Sequence, residues 1–390
     1  MSVPHIDFDP FAERGRAGHM HSMLDGLRER HAAFRSSGQQ GFWVLTRHED
    51  ILAAFQNPET FSSRAIAVID PDPSYQWIPV MLDPPLHTAW RRLLRPLFTP
   101  ASAGAMRERI TRHCVALVDG LARQGSCDFV ADFARLFPTI IFLELVGLPP
   151  GRLKEFLAWE DAVLHPPPSG AGRAEAMAEV TACFTELIRA RRAHPRDDLV
   201  SAATTFVLHG RPVTDGELLQ LCVLLFLAGL DTVAAQLSYT FWHLATHDAD
   251  RARVAGDPTV VPAAIEEFLR VYALPLPARR LTEDVDLHGC PMKAGDMVML
   301  PISMATRDPR AFPSAAAVDI DGPPAPHLAF GAGPHRCLGA HLARLELRIA
   351  LTEWHARIPD YGITPGERPV EHASLVLGLD ALPLRWQTAS

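Results

Sequence analysis

Few features of this chain announce a secreted, membrane or nucleic-acid-binding protein. Its six cysteines, Cys114, Cys127, Cys183, Cys222, Cys290 and Cys337, are scattered without paired spacing. That shows no disulfide framework and fits a reducing cytoplasm. The opening residues, MSVPHIDFDPFAERGRAG, carry no apolar signal core. The longest apolar run, Leu221 to Leu230, stops at Asp231 and is too short to cross a bilayer, so a soluble protein with no membrane segment is expected. The formal net charge of -8 argues against general affinity for nucleic acid. No internal repeat or linker interrupts the sequence, although 390 residues would by length alone divide into two or three domains.

What is present is apolar mass. Hydrophobic residues make up 48% and charged residues 21%, enough to bury a large core, while 34 prolines imply many irregular connections. Phe42 to Thr46 predicts a short strand, and His48 to Phe55 the helix after it. Pro71 to Pro85 is irregular, and Leu86 to Phe98 predicts a helix with clustered arginines. Helical patterns then dominate from Ala101 to about Leu269, with breaks at Pro149-Pro150 and Pro166-Pro167-Pro168. From Pro275 to Pro326 the texture changes to short strands and turns, and Leu338 to Ile358 is helical again. This order predicts a single domain over residues 1–390, mainly α with a minor β portion around residues 272–326.

The most informative stretch is Phe330 to Arg344, FGAGPHRCLGAHLAR. Cys337 follows a loop carrying Gly331 and Gly333 and precedes a predicted helix. A sulfur placed there faces the positive end of the helix dipole and unpaired N–H groups, both of which favour the metal-binding thiolate. The glycines keep side chains away, so a large flat ligand can approach the backbone. A haem iron held by cysteine suits that geometry. Two other accounts stand beside it: a plain turn with a small buried cysteine, and a zinc site drawn from His335, Cys337, His341 and nearby His327. A phosphate loop is weak, because no Gly-Lys-Ser/Thr follows.

Asp215 to about His247 predicts one continuous helix of about 50 Å at 1.5 Å per residue, apolar enough in its first half to run through the core. Ala228-Gly229-Leu230-Asp231-Thr232 lies in its middle. Thr232 can bond back to the Ala228 carbonyl and bend the helix, and Gly229 eases a kink. Taken alone, a satisfied core threonine beside an aspartate reaching water is the simpler account. Glu267 and Arg270, three residues apart, read alone as a surface ion pair.

Together these stretches resemble the cytochrome P-450 family, and within it the bacterial camphor hydroxylase and its relatives. Phe330, Gly331, Gly333, Cys337 and Gly339 match the family's haem loop, LLFLAGLDTV its oxygen groove, and Glu267 with Arg270 its Glu-x-x-Arg motif. The likeness runs from about Gly41 to the end and includes SYQWIPVMLDPP, EWHARIPDYGITPG and ALPLRW. It implies the cytochrome P-450 fold, with a long central helix over a buried haem b. It implies Cys337 as the axial ligand of the iron, with Phe330, Gly331, Gly339 and Ala228 beside the haem. His87, Arg91, Arg279 and His335 would hold the propionates. Asp231 and Thr232 would be the acid–alcohol pair that delivers protons to oxygen, and Glu267 and Arg270 would anchor the loop that supports the haem. In one departure, Gly322 stands where many relatives bring a second arginine into that network, which leaves main chain, water or another residue as the third partner.

The implied activity is haem-thiolate monooxygenation: hydroxylation of a small hydrophobic substrate with O2. Electrons would come from a two-iron two-sulfur ferredoxin and its NAD(P)H-dependent ferredoxin reductase. Arg91, Arg92, Arg95, Arg336 and Arg344 are expected to form a basic docking patch. Tyr75 falls where the camphor enzyme donates a phenolic hydrogen bond to its substrate's ketone. Leu224, Leu227, Pro275, Leu375 and Val376 are apolar pocket candidates suited to a compact monoterpenoid, with at most one ether or carbonyl oxygen. Differences at Ala65 to Ser74 and at Pro166-Pro167-Pro168, both bordering the entrance, mean that camphor itself is not implied. Two other functions are weighed against this one. A peroxide-driven peroxygenase usually lacks the Asp-Thr pair, and a non-catalytic haem sensor would normally carry a signalling module.

Overall fold

The computed structural model describes residues 3–165, 169–323 and 325–388; the break expected at Pro166-Pro167-Pro168 lies outside them. The core is built on the most apolar helix, which starts at a reciprocal cap. The Glu217 N–H donates to the Thr214 hydroxyl at 3.2 Å, and the Thr214 N–H donates to the Glu217 carboxylate at 2.8 Å, which fixes where the helix begins. Asp215–Gly229 then buries Leu218, Leu221, Cys222, Val223, Phe226 and Leu227. The single helix expected from the sequence is two. Leu230 (φ -92°, ψ -64°) interrupts it, and Asp231–Thr246 resumes. At the break the Thr232 hydroxyl donates to the Ala228 carbonyl at 2.9 Å, a side-chain bond of the kind that bends helices. By length and composition Asp215–Thr246 would span a bilayer, yet most of its apolar stretch is buried inside the protein, so its apolarity serves the core.

The break falls on a seam between two apolar clusters. Residues up to Leu230 pack with Trp90, Phe142, Phe156 and Phe184. Residues from Val233 onward pack with Phe129, Trp354, Val44 and Val298.

Strands are short and recruited from distant parts of the chain. The largest sheet runs, in spatial order, His5–Ile6, Ala33–Ser36, Phe42–Leu45, Met297–Met299, Ala278–Leu281 and Phe61–Ser62. Val298 pairs with Trp43 on one side and Arg279 on the other. Strands from the stretch after Pro275 therefore join the N-terminal hairpin, and that pairing carries Arg279 into the interior.

Val261–Val271 is the helix that steadies the later loop. Arg270, its side chain 3% exposed, donates to both Glu267 oxygens at 2.8 and 2.5 Å. It also donates to the carbonyls of Thr306 at 3.0 Å, Ala315 at 2.8 Å, Ser314 at 3.3 Å and Ala317 at 2.8 Å. Glu267 in turn accepts from the Asp319 N–H at 3.0 Å. Main chain thus fills the place that an arginine at Gly322 would take. A Cβ at Gly322 would lie 2.6 Å from Asp319 Oδ2, so a side chain there would displace Asp319. The pair that reads as superficial in sequence has a buried arginine, a largely buried glutamate and many partners.

Candidate active site

A cavity of about 440 Å³ opens along the seam, lined by Cys337, Thr232 and Ala228 together with His87, Arg91, Arg279 and His335. The cysteine is positioned by its own loop: its N–H donates to the Phe330 carbonyl at 2.9 Å, and the Gly331 N–H to the Leu328 carbonyl at 2.7 Å. Both loop glycines adopt positive φ, 68° at Gly331 and 63° at Gly333, which glycine adopts without a steric penalty. A Cβ at Gly333 would sit 2.2 Å from the Phe55 carbonyl oxygen, so the loop could not seat against Phe55 with a side chain there. At Gly331, which lines the cavity, the Cβ position is open space; this leaves a bare backbone face for a flat ligand.

Burial pushes the Cys337 thiol up, against a bond from the Gly339 N–H and the positive charges of Arg91, Arg336 and Arg344. A metal cation bound at the sulfur would favour the thiolate further. Zinc is not that cation by the residues proposed. His327 Nε2 lies 3.2 Å from Glu266, His335 Nε2 lies 3.1 Å from the Ser63 hydroxyl, and among the described residues they form no metal-binding group with Cys337.

Among the described residues, no carboxylate bonds to the arginines and histidines of this wall. Arg279 is 5% exposed, donates among the described residues only to the Ala278 carbonyl at 2.7 Å, and burial brings its pKa down to about 10 despite the charge of Asp83. The rings of His87 and His335 lie 3.9 Å apart. Burial, with the neighbouring arginines, lowers His87 to about 4 and His335 to about 2. His87 Nδ1 is buried without a hydrogen-bond partner. Arg91 donates to the Arg336 carbonyl at 2.6 Å. Buried cations with no carboxylate are costly unless an anion joins them. An uncovered glycine face, a cysteine sulfur and an anion-seeking wall on one cavity together fit a porphyrin with two carboxylates.

Thr232 and Asp231 part company. Thr232 lines the cavity, whereas Asp231 is 9% exposed, does not line it, and turns toward His165, whose Nε2 lies 3.4 Å from Asp231 Oδ1. Sequence reasoning missed His165, Glu160 and Arg135 behind it. It also missed Glu346, which lines the cavity with Oε2 unpartnered and a pKa raised by burial to about 8. Nothing in their local sequence marks them, because each acquires its setting only through packing.

Of the pocket candidates, Leu224, Pro275 and Leu375 line the cavity. Leu227 is instead buried in the apolar cluster below the break, and Val376 bridges Pro275 through its main chain. Tyr75 is corrected. Its hydroxyl donates to Asp70 at 2.9 Å, its ring stacks on Trp77 with centroids 4.5 Å apart, and it is not among the lining residues. The basic patch is smaller than expected. Arg344 is held by both oxygens of Glu266 at 2.6 Å and lies over Phe330 at 4.4 Å, and Arg91 faces the cavity. Arg92, Arg95 and Arg336 remain exposed.

A cysteine-held porphyrin is the class of centre this cavity is shaped for. Known proteins bear on it directly. The family model for cytochrome P-450 matches residues 257–354. The chain is 36% identical over 349 residues to the probable cytochrome P-450 127A1 of Sinorhizobium fredii, spanning 89% of this chain and 84% of that protein. It is 32% identical over 354 residues to the mycinamicin IV hydroxylase/epoxidase of Micromonospora griseorubida, spanning 88% and 89%. The crystal structure of CYP101J2 superposes with a TM-score of 0.91 at 30% identity, over 99% of this chain and 98% of that one. The chain belongs to the cytochrome P-450 family. Members bind haem b through a cysteine thiolate, and the haem iron supplies oxygen activation, with electrons from a redox partner, for monooxygenation.

Proposed function

We propose that this monooxygenase hydroxylates a compact, neutral molecule of monoterpenoid size in the cytoplasm, with electrons from a two-iron two-sulfur ferredoxin reduced by an NAD(P)H-dependent reductase. In this reading Cys337 holds the iron, and Phe330, Gly331, Gly339 and Ala228 flank the porphyrin. His87, Arg91, Arg279 and His335 hold its carboxylates. Thr232 hands a proton to the reacting oxygen through its hydroxyl, and Asp231 resupplies it from outside the cavity. Glu267 and Arg270 keep the loop before Cys337 in place.

One observation carries the substrate class. Apart from the cationic group needed by the porphyrin and the polar Thr232 and Gln236, the cavity lining is mainly apolar, with Ile66, Leu224, Pro275 and Leu375 among it, and the pKa of the one carboxyl among its described residues, Glu346, is raised by burial to about 8. No cation is left over to anchor a fatty-acid carboxylate. Relatives are named for substrates as different as mycinamicin IV, vitamin D3 and steroids, so likeness of sequence does not choose among them. With Tyr75 turned to Asp70, recognition rests on shape, and a substrate oxygen is optional. Docking of an acidic ferredoxin is assigned to Arg92, Arg95 and Arg336. The test is a spin-state titration of the haem protein with 1,8-cineole, camphor, laurate and progesterone. A low-to-high-spin change with cineole-sized ligands and none with laurate supports the proposal; a change with laurate or progesterone alone overturns it.

A further inference from the structure

Each turnover of a monooxygenase consumes protons from solvent, and the Asp231 side chain is largely buried. The structure shows what lies between. His165 follows the Leu153–Leu164 helix, and its side chain is 23% exposed while that of Asp231 is 12% exposed. Nε2 faces Asp231 Oδ1 at 3.4 Å, and no described residue bonds to Nδ1. An imidazole held this way can take a proton at one nitrogen and release another at the second, which a guanidinium or ammonium cannot do near neutral pH.

We propose that His165 is the proton inlet of this enzyme, passing solvent protons to Asp231; the proposal rests on the role given above to Asp231 and Thr232. In the step itself, the Nε2–H bond breaks and an O–H bond forms on Asp231. The neutral ring is left with its proton on Nδ1; it shifts tautomer through solvent to Nε2–H, and the freed Nδ1 then takes up a proton from solvent. No oxidant or reductant is involved.

The surroundings suit a group that must charge and discharge. From its own helix, Glu160 (1% exposed side chain) and Asp161 approach. From the preceding helical segment, Arg135 reaches Glu160 at 3.3 Å and Asp161 at 2.7 Å. From the Val370–Ala373 strand, the ring of His372 lies 5.0 Å from that of His165 and bonds to Asp380 at 2.7 Å, which also pairs with Arg14. Glu160, His165 and Asp231 bring one ligand atom each within 4.8 Å of one another, and Arg135 beside them favours a proton over a metal ion in that space. Burial opposes charge on His165, but the bond to Asp231 and the charges of Asp231 and Glu160 outweigh it, so its pKa lies above the ordinary imidazole value; Arg135 pulls the other way. The ring therefore keeps its proton to higher pH than an ordinary imidazole does.

The test uses the haem-loaded full chain. In 13C-histidine-labelled protein, the resonance missing from His165→Gln should titrate above an ordinary histidine in wild type and fall in Asp231→Asn. In steady state, NADH oxidation is followed from pH 6 to 9 with a two-iron two-sulfur ferredoxin and its reductase, both with 1,8-cineole as the probe and with no added ligand. Wild type should lose rate on the alkaline side. His165→Gln should run about ten-fold slower or worse, lack the alkaline limb, and add nothing in Asp231→Asn. His165→Arg, which keeps the ion pair but cannot release a proton, should behave like the Gln variant. If His165→Arg restores the wild-type rate and pH profile, the residue is a structural ion pair and the inlet is refuted. If Asp231→Asn slows the enzyme while His165→Gln does not, protons enter elsewhere. If neither Asp231→Asn nor Thr232→Ala changes rate or coupling, the underlying reading of the acid–alcohol pair fails instead.

Discussion

Replacing Arg270 by leucine should separate the haem loop from the rest of the fold. The guanidinium satisfies both Glu267 oxygens and four carbonyls on residues 306, 314, 315 and 317, and it covers the Phe312 ring at 5.3 Å. Its loss leaves a largely buried carboxylate without its cation, a change that typically costs about 3–5 kcal/mol. The buried Thr306 carbonyl loses its side-chain donor too, whereas the carbonyls at 314–317 lie on a partly exposed loop that water can reach. The penalty should therefore stay near the pair's own value and not grow to the sum of six bonds. Because that loop leads into Cys337, the damage should appear first as lost thiolate ligation of the haem and then as a lowered urea midpoint. Arg270→Lys keeps the charge but not the fork, and should fall between. A leucine variant within about 1 kcal/mol of wild type, with an unchanged haem spectrum, would refute the argument and return the pair to the surface role that its spacing alone suggests.

Other outcomes follow from the same geometry. Glu346 has a folded pKa of about 8 against an ordinary 4.5, so the folded protein holds an extra proton between those values and its stability should fall as pH rises through that window. Glu346→Gln should flatten the melting temperature between pH 5 and 8 and raise it at pH 8 by the equivalent of a few kcal/mol, on the order expected for such a shift; parallel wild-type and variant curves would contradict this. Tyr75→Phe should leave the spin-state affinities for camphor and for 1,8-cineole within about two-fold, since the lost bond is to Asp70 and worth roughly 1 kcal/mol of loop order. A selective loss for the ketone would restore the tyrosine to the pocket. Arg92→Glu with Arg95→Glu should raise the KM for ferredoxin, chiefly at low salt, with kcat kept; an effect independent of salt would place the docking face elsewhere.

What could be read from the sequence was what is local. The loop around Cys337, the bond from Thr232 to the Ala228 carbonyl, and the strand at Phe42 with the helix at His48 each depend on a few neighbouring residues, and the structure holds all three. The break at Leu230 was hidden, because a continuous apolar run looks the same whether a helix bends or not; the seam between two clusters reveals it. The Asp319 N–H that donates to Glu267, like the carbonyls that accept from Arg270, belongs to main chain and has no letter in the sequence. His165, Arg135 and Glu346 are unremarkable charged residues until tertiary packing sets them against Asp231 or the cavity. Tyr75 misled because the residue that captures its hydroxyl, Asp70, lies in the same irregular loop, where spacing does not fix direction.

The central claim is tested most directly by reducing the purified haem protein under carbon monoxide and recording its absorption, beside the same measurement on Cys337→Ser. The account predicts the strongly red-shifted Soret band of a thiolate-ligated haem in wild type and its disappearance in the serine variant. A wild-type spectrum without that band, or a serine variant that keeps it, would contradict the account.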